Sequence, residues 1–319
     1  MVNIIIPAYN ARKTIRQAIA SVAVQDNQED IKLTIVDDCS DEPYDYLSDE
    51  YKYLNMNILR KPSNTGPGQT RQYGIDRTDC EYMIFLDADD CFYSPNAVST
   101  LLSNIKDTDF DVVASCFLEE LLDKSTVLYS NEINWMHGKL YRTQYIKNNN
   151  IKFNKTRSNE DTSFNAIIYF NGAKIKFIDM VTYIWRCNKN SISRAENFII
   201  DSMDDFITNA EYVVKECFRL KVDENNIFHC IMQYLCSFYG YYIIFLNEQQ
   251  KKEKVSNYIS SIKRFNKIIP NNMFKLFNDN NISQIFYGNG IVKDLINNNI
   301  MMNISFYNFI NSLKSNIIL

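Results

Sequence analysis

Through its first 115 residues the chain repeats one pattern: a short apolar run, a polar turn, then a stretch with helical spacing. The apolar runs are Val2–Ile6, Leu33–Val36, Asn57–Leu59, Tyr82–Leu86 and Asp111–Ser115, and helical spacing fills roughly 12–25, 67–77 and 96–106. Short strands alternating with helices predict βαβ units, and hence an α/β fold around a mostly parallel central sheet. The segment SPNAVSTLLSNI adds a helix start, with Ser94 as the cap and Pro95 at the first helical position.

In such a sheet, ligands bind beyond the carboxyl ends of the strands. Three polar clusters fall at that edge: PAYN (Pro7–Asn10), DDCSD (Asp37–Asp41) and DADD (Asp87–Asp90). One acidic turn fits a helix cap, but three at one edge describe a pocket. Asp87 and Asp89 would repel a nucleotide diphosphate unless a divalent cation lay between them, and hard carboxylate oxygens suit Mg2+ or Mn2+. In an Asp-x-Asp turn one side chain can accept from a ribose hydroxyl while the other coordinates the metal. Turn and cap duty is the alternative for Asp87, Asp89 and Asp90. The glycine-containing loop SNTGPGQTRQYG (Ser63–Gly74) matches neither a dinucleotide fingerprint nor a P-loop, because it has no lysine partner and the wrong spacing. Gly66 and Gly68 permit close backbone approach there, and Arg71 lies one turn into the following helix, within reach of a base or a phosphate.

The length of 319 residues favours a large catalytic domain with an appendage, divided here as 1–195 and 196–319. From 126 to 185 the pattern is irregular, with short strands expected at Lys174–Ile178 and Thr182–Trp185; beyond Ala195 it becomes helical and aromatic. The run Ile227–Leu246 could span a bilayer, but His229, Gln233, Ser237 and Gly240 interrupt it and no basic cluster precedes it, so a buried bundle helix is expected. The terminal NISFYNFINSLKSNIIL reads as an amphipathic helix, on a membrane or against a neighbouring helix. No signal peptide is expected from MVNIIIPAYN, and eight cysteines without metal spacing fit reduced thiols, so a cytoplasmic protein is expected. Only two histidines are present, which argues against histidine-rich metal chemistry. Residues 251–319 carry nine Lys and Arg against three Asp and Glu, whereas the whole chain is at −4. That basic segment suggests an anionic partner, either a membrane surface at the inner face of the cell membrane or a phosphorylated acceptor, with a solvated helix face as the alternative.

Together, IIIPAYN, VDDCSD, NTGPGQTRQYGI, IFLDADD, WMHGKLYR, SNEDTSF and YIWRCNKNSIS, in this order, resemble the inverting family-two glycosyltransferases of the glycosyltransferase-A fold, a Rossmann-like α/β fold. The resemblance covers about residues 1–195 and is nearest to the branch that builds bacterial capsule and cell-wall glycans. The C-terminal helical appendage matches no family pattern. The resemblance implies that Pro7, Ala8 and Tyr9 form the turn that holds uracil, that Asp38 accepts from its N3 with Asp37 alongside, and that Arg71 approaches the base or diphosphate. It implies ribose binding by Asp87, metal binding by Asp89 and loop support or sugar contact from Asp90. It makes Asp161 the base that takes the acceptor proton, with Glu160 orienting acceptor or base. Read without the family, the same two acids fit a helix N-terminus capped by Asn159. Trp135, His137 and Lys139 would line the donor-sugar or acceptor side, His137 being equally readable as a packed histidine bonded to backbone. Arg186 and Ser191 would approach the diphosphate. Gln72 departs from the family, which commonly has Asn after the arginine, and a weaker helix-to-loop bond is expected from it.

The implied activity is metal-dependent transfer of a sugar from a nucleotide-diphosphate donor, with UDP favoured, to a hydroxyl of a glycan or lipid-linked acceptor. The implied partners are that donor, that acceptor, Mn2+ or Mg2+, and the membrane surface or a homo-oligomer through the appendage; no nucleic acid is expected. A sugar nucleotidyltransferase would want glycines after the first strand, and PAYNARKT lacks them. A non-catalytic nucleotide- or glycan-binding subunit is the other alternative; the presence of both a metal acid and a base disfavours it.

Overall fold

The structure is a computed structural model that describes residues 1–188, 202–247 and 289–297, with a few single positions after residue 260. Two compact units divide the chain, Met1–Arg194 and Ala195–Leu319.

The first unit is built on one sheet in the order β3-β2-β1-β4-β8-β6-β9-β5, with β7 paired to β6. Its first four members are parallel: β3 (Met56–Arg60), β2 (Ile31–Asp37), β1 (Val2–Ala8) and β4 (Tyr82–Phe85). β1 and β4 are buried along nearly their whole length, as strands covered on both faces must be. Helices α1 (Ile15–Ala23), α2 (Tyr46–Glu50) and α3 (Pro67–Ile75) connect them. Helix α1 buries Ile15, Ala18, Ile19 and Val22, an i, i+3, i+4, i+7 stripe, against the sheet core. Gly74 in α3 lets the helix lie on β1, since a Cβ there would sit 2.7 Å from the Ile5 side chain.

Beyond β4 the pattern changes. β5 (Cys91–Phe92), α4 (Ala97–Ile105), β6 (Val112–Glu120) and β7 (Thr126–Tyr129) lead to β8 (Lys139–Arg142), which inserts antiparallel between β4 and β6. Helices α5 (Thr143–Asn148) and α6 (Glu160–Phe170) follow. The two short strands expected near 174–185 are one strand, β9 (Ile175–Trp185), whose register against β6 shifts around Cys116. That irregularity bends β9 so that its far end also pairs with β5, Phe92 opposite Tyr183. Helix α4 starts later than expected: Asn96 is its N-cap, Pro95 precedes it, and Ser94 Oγ bonds the Asn96 side chain at 2.7 Å.

In the second unit, α7 (Met203–Arg219), α8 (Glu224–Asn247) and α9 (Gly290–Asn297) are helical. The polar interruptions in α8 have work to do inside the unit: Asn289 donates to Gln233 Oε1 at 3.0 Å and to Ser237 Oγ at 3.2 Å. Among the described residues no helix is long and apolar enough to cross a membrane. Most of the terminal segment expected to be amphipathic lies outside the described residues, as does Ser191.

Candidate functional site

The site grows from the carboxyl ends of β1, β2 and β4. Parallel register sets Ala8 opposite Asp37, so the loops after the two strands leave side by side. They are tied together. Asn10 and Asp41 exchange bonds of 3.0 and 2.9 Å, the Asn10 amide donates to Ser40 Oγ at 2.9 Å, and the Asp38 amide donates to the Ala8 carbonyl at 2.8 Å. Asn10 and Cys39 both take left-handed backbone, φ 50° and 62°. Pro7 and Ala8 are strand residues beneath this edge, and Tyr9 stands above it, 50% exposed.

The acids behind Tyr9 already have partners. Asp37 is paired with Arg60 and accepts from the Ser40 amide at 2.8 Å. Asp38 is buried and paired with Lys61 at 2.6 Å, and it accepts from the Gly66 amide at 2.8 Å and the Thr65 amide at 3.1 Å. Asp38 thus holds the start of the glycine loop against β2. Lys61 was not legible in the sequence; its only signal is a position just past the end of β3.

Arg71 is 5% exposed, and its guanidinium forks between two acids from distant parts of the chain. Nη2 donates to Asp87 Oδ1 at 2.6 Å and Nη1 to Glu160 Oε1 at 2.8 Å. Burial disfavours its charge, yet Asp87, Glu160 and Asp161 together hold it fully protonated. Helix α3 is fastened to the segment ahead of α6 at three more points. Gln69 donates to the Phe153 carbonyl at 3.0 Å, the Phe153 amide donates to Gln72 Oε1 at 3.1 Å, and a Cβ on Gly68 would lie 2.5 Å from Glu160 Cγ. Gln72 therefore makes the helix-to-loop bond it was expected to weaken. Its longer side chain also reaches Asp76 at 2.8 Å.

In the DADD turn the three carboxylates diverge. Asp87 is half-buried; burial raises its pKa, but Arg71 wins and the net shift is down. Asp89 accepts from Asn188 Nδ2 at 2.7 Å, and its pKa is raised, chiefly by burial, with Asp87 adding repulsion. Asp90 is buried, accepting from Tyr183 Oη at 2.6 Å and from the Arg186 amide at 2.8 Å. Burial and then the charges of Asp87 and Asp89 push its pKa well up.

His137 stands against this turn. It is 8% exposed, ringed by Phe117, Trp135, Tyr183 and Trp185 with centroids 4.9–6.3 Å away, and burial holds its pKa down to about 3. The backbone bond allowed for in the sequence is not made: Nδ1 is buried without a partner, while Nε2 lies 3.9 Å from Asp90. Asp87, Asp90 and His137 offer ligand atoms all within 4.8 Å of one another, a spacing that fits a divalent cation. The expected ligand, Asp89, is not in this cluster.

Other expected residues are engaged elsewhere. Lys139 is buried with its ammonium on the Trp135 carbonyl at 2.5 Å, and burial lowers its pKa to about 8. It buttresses the Trp135 loop rather than lining an open sugar site. Arg186 donates to Gln17 and lies 3.7 Å from Glu120.

Glu160 and Asp161 open helix α6. Asn159 is at the N-cap position but in left-handed backbone, φ 57°, with no side-chain cap bond, so the two acids face a helix start that Asn159 does not cap. Burial, reinforced by Asp161 and opposed by Arg71, pushes Glu160 up to about 8. Asp161 is raised chiefly by burial as well, with Arg71 opposing. Its Oδ1 accepts from the Thr162 amide at 2.8 Å, and Oδ2 has no hydrogen-bond partner among the described residues. A half-buried carboxylate of raised basicity with one open oxygen can take a proton.

A family model described as glycosyl transferase family 2 matches residues 3–164. Staphylococcus aureus TarS, a poly(ribitol-phosphate) beta-N-acetylglucosaminyltransferase, is 25% identical over 238 residues, covering 70% of this chain and 41% of TarS. A processive diacylglycerol beta-glycosyltransferase of Mycoplasma genitalium is 25% identical over 227 residues, covering 60% of this chain and 65% of that protein. This chain thus spans less than two thirds of either relative. In structure, TarS 1–349 in complex with UDP-GlcNAc matches with a TM-score of 0.72 at 20% identity, over 93% of this chain and 92% of that one. The mannosyltransferase PcManGT of Pyrobaculum calidifontis, in complex with GDP-Man and Mn2+, matches with a TM-score of 0.53 at 10% identity, over 99% and 87%.

Proposed function

The chain belongs to glycosyl transferase family 2, and on that premise we propose that it is a cation-dependent inverting glycosyltransferase that moves a sugar from UDP to a hydroxyl of a surface-glycan or glycolipid acceptor. The observation that carries the reading is the convergence at Arg71, where an acid of the DADD turn and an acid of the α6 pair meet on one guanidinium. TarS in complex with UDP-GlcNAc supports the donor class, and the names of the relatives support a ribitol-phosphate polymer or a diacylglycerol as the acceptor class.

Tyr9 packs on the uracil ring, Asp37 and Asp38 shape the base pocket with Lys61, and Asp87 accepts from the ribose. The acceptor oxygen bonds to the anomeric carbon as the bond from sugar to phosphate breaks, its electron pair leaving on UDP, and the acceptor proton passes to Asp161 Oδ2. One displacement inverts the centre. Asp87, Asp90 and His137 would hold the cation, with Asp89 as the third acid of the same turn; their mixed oxygen and nitrogen donors suit Mn2+ better than Mg2+. When bound, the cation neutralises charge on the leaving diphosphate. Arg186, just past the end of β9, and Ser191, outside the described residues, are assigned the approach to that diphosphate. Residues 251–319, with their surplus of Lys and Arg, are assigned the contact with an anionic membrane surface or phosphorylated acceptor.

Asp161→Asn is expected to bind UDP with wild-type affinity in calorimetry and to lose transfer by roughly 10²- to 10⁴-fold. Transfer at the wild-type rate would remove Asp161 from the role of base.

A further inference from the structure

We infer that Arg71 is a positioning residue for the base: one arm of its fork anchors Glu160, the neighbour of Asp161 at the start of α6, and the other arm ties that pair to Asp87 in the donor half of the site. The inference rests on the assignment of Asp161 as base.

A buried guanidinium is costly, and apolar packing between α3 and α6 would serve stability as well or better. The position is nonetheless built around the charge. Gly68 keeps the helix open to Glu160, and Gln69 and Gln72 clamp α3 to the Phe153 segment, so Arg71 has little freedom to leave. Each Nη takes a different carboxylate, at 2.8 and 2.6 Å, a division that a planar fork can make and a single ammonium cannot reproduce in full.

The titratable groups around the pair come from four elements: Glu160 and Asp161 on α6, Arg71 on α3, Asp87 beyond β4, and Lys139 and Tyr141 on β8. Arg71 is the cation among them that touches Glu160. Without it, neither Glu160 nor Asp161 has a cation in contact among the described residues, and both hold their protons to higher pH. A protonated Asp161 cannot accept the acceptor proton, so the acidic limb of the rate profile moves up in pH.

The experiment uses the full chain with Arg71→Gln and Arg71→Lys. The titration midpoints of 13C-labelled Glu160 and Asp161 carboxyls are read by NMR, and kcat is followed against pH with a UDP-sugar and Mn2+. In Arg71→Gln both midpoints and the acidic limb are expected to rise by at least about one pH unit, with partial return in Arg71→Lys. Midpoints unmoved in a folded Arg71→Gln would overturn the inference, as would a rate that falls equally at every pH. If the midpoints move and the limb does not, Arg71 does govern the pair and the assignment of Asp161 as base is what fails.

Discussion

Lys139 illustrates how a motif can name a residue without giving the surroundings of its side chain. The motif WMHGKLYR suggests a lysine lining a sugar site, but β8 is buried on both faces from Lys139 to Tyr141, and one carbonyl, that of Trp135, receives the ammonium. Its folded pKa of about 8 lies below the ordinary lysine value. The folded state therefore sheds the proton first, and stability rises with pH from about 8 towards the unfolded value. Lys139→Met, which removes the buried charge, is expected to gain most over the wild type below pH 8, and the gap should narrow by pH 10. Thermal midpoints at pH 7 and pH 10 check this; a gap of the same size at both would mean that the ammonium costs nothing. At the same scale, Asp37, Asp87 and Asp161 were legible because each acid directly follows an apolar strand or opens a helix. Tyr183, Asn188 and Lys61 were not, because each serves the site through a partner distant in sequence: Asp90, Asp89 and Asp38.

Among the elements, the parallel half of the sheet was readable and the β8–β9 half was not. β1, β2 and β4 announce themselves by continuous apolar runs, which buried parallel strands require. β8 is four residues long and pairs antiparallel with strands on both sides, and nothing in its sequence names those partners. β9 read as two strands because its bend falls where the register against β6 shifts. The turn into β8 depends on Gly138, at φ +63°, where a Cβ would lie 2.5 Å from Ser115 Oγ. Ser115 cannot easily yield, since its hydroxyl is held by the Gly138 carbonyl at 2.9 Å and by Thr182 at 2.5 Å. Gly138→Ala is expected to cost about 2 kcal/mol or more, through left-handed strain and overpacking together. Denaturant midpoints measure this; a loss below about 0.5 kcal/mol would mean that the turn relaxes freely.

At the scale of the whole molecule, the first unit brings Tyr9 and the acids proposed to hold the donor together at the carboxyl ends of β1, β2 and β4, sets Glu160 and Asp161 at the start of α6, and joins the two sets through Arg71. The motifs that carry these residues follow one another along the chain as PAYN, DDCSD, the glycine loop, DADD and NED, so the two sets are separate in sequence and meet only on folding. The second unit shows no motif in the sequence beyond its charge, although the likeness to TarS 1–349 over 93% of the chain extends into it. The central claim is that this cleft transfers a sugar from a nucleotide diphosphate, and release of UDP tests it most directly. The full-length wild type would be incubated with a panel of UDP-sugars and candidate glycan and glycolipid acceptors, with Mn2+ or with chelator, beside Asp161→Asn. The expected result is UDP released by the wild type with Mn2+ and not with chelator, while Asp161→Asn binds UDP and releases none above background. Tight binding of UDP by both proteins with no release from any donor would contradict the account and leave a nucleotide-binding subunit in its place.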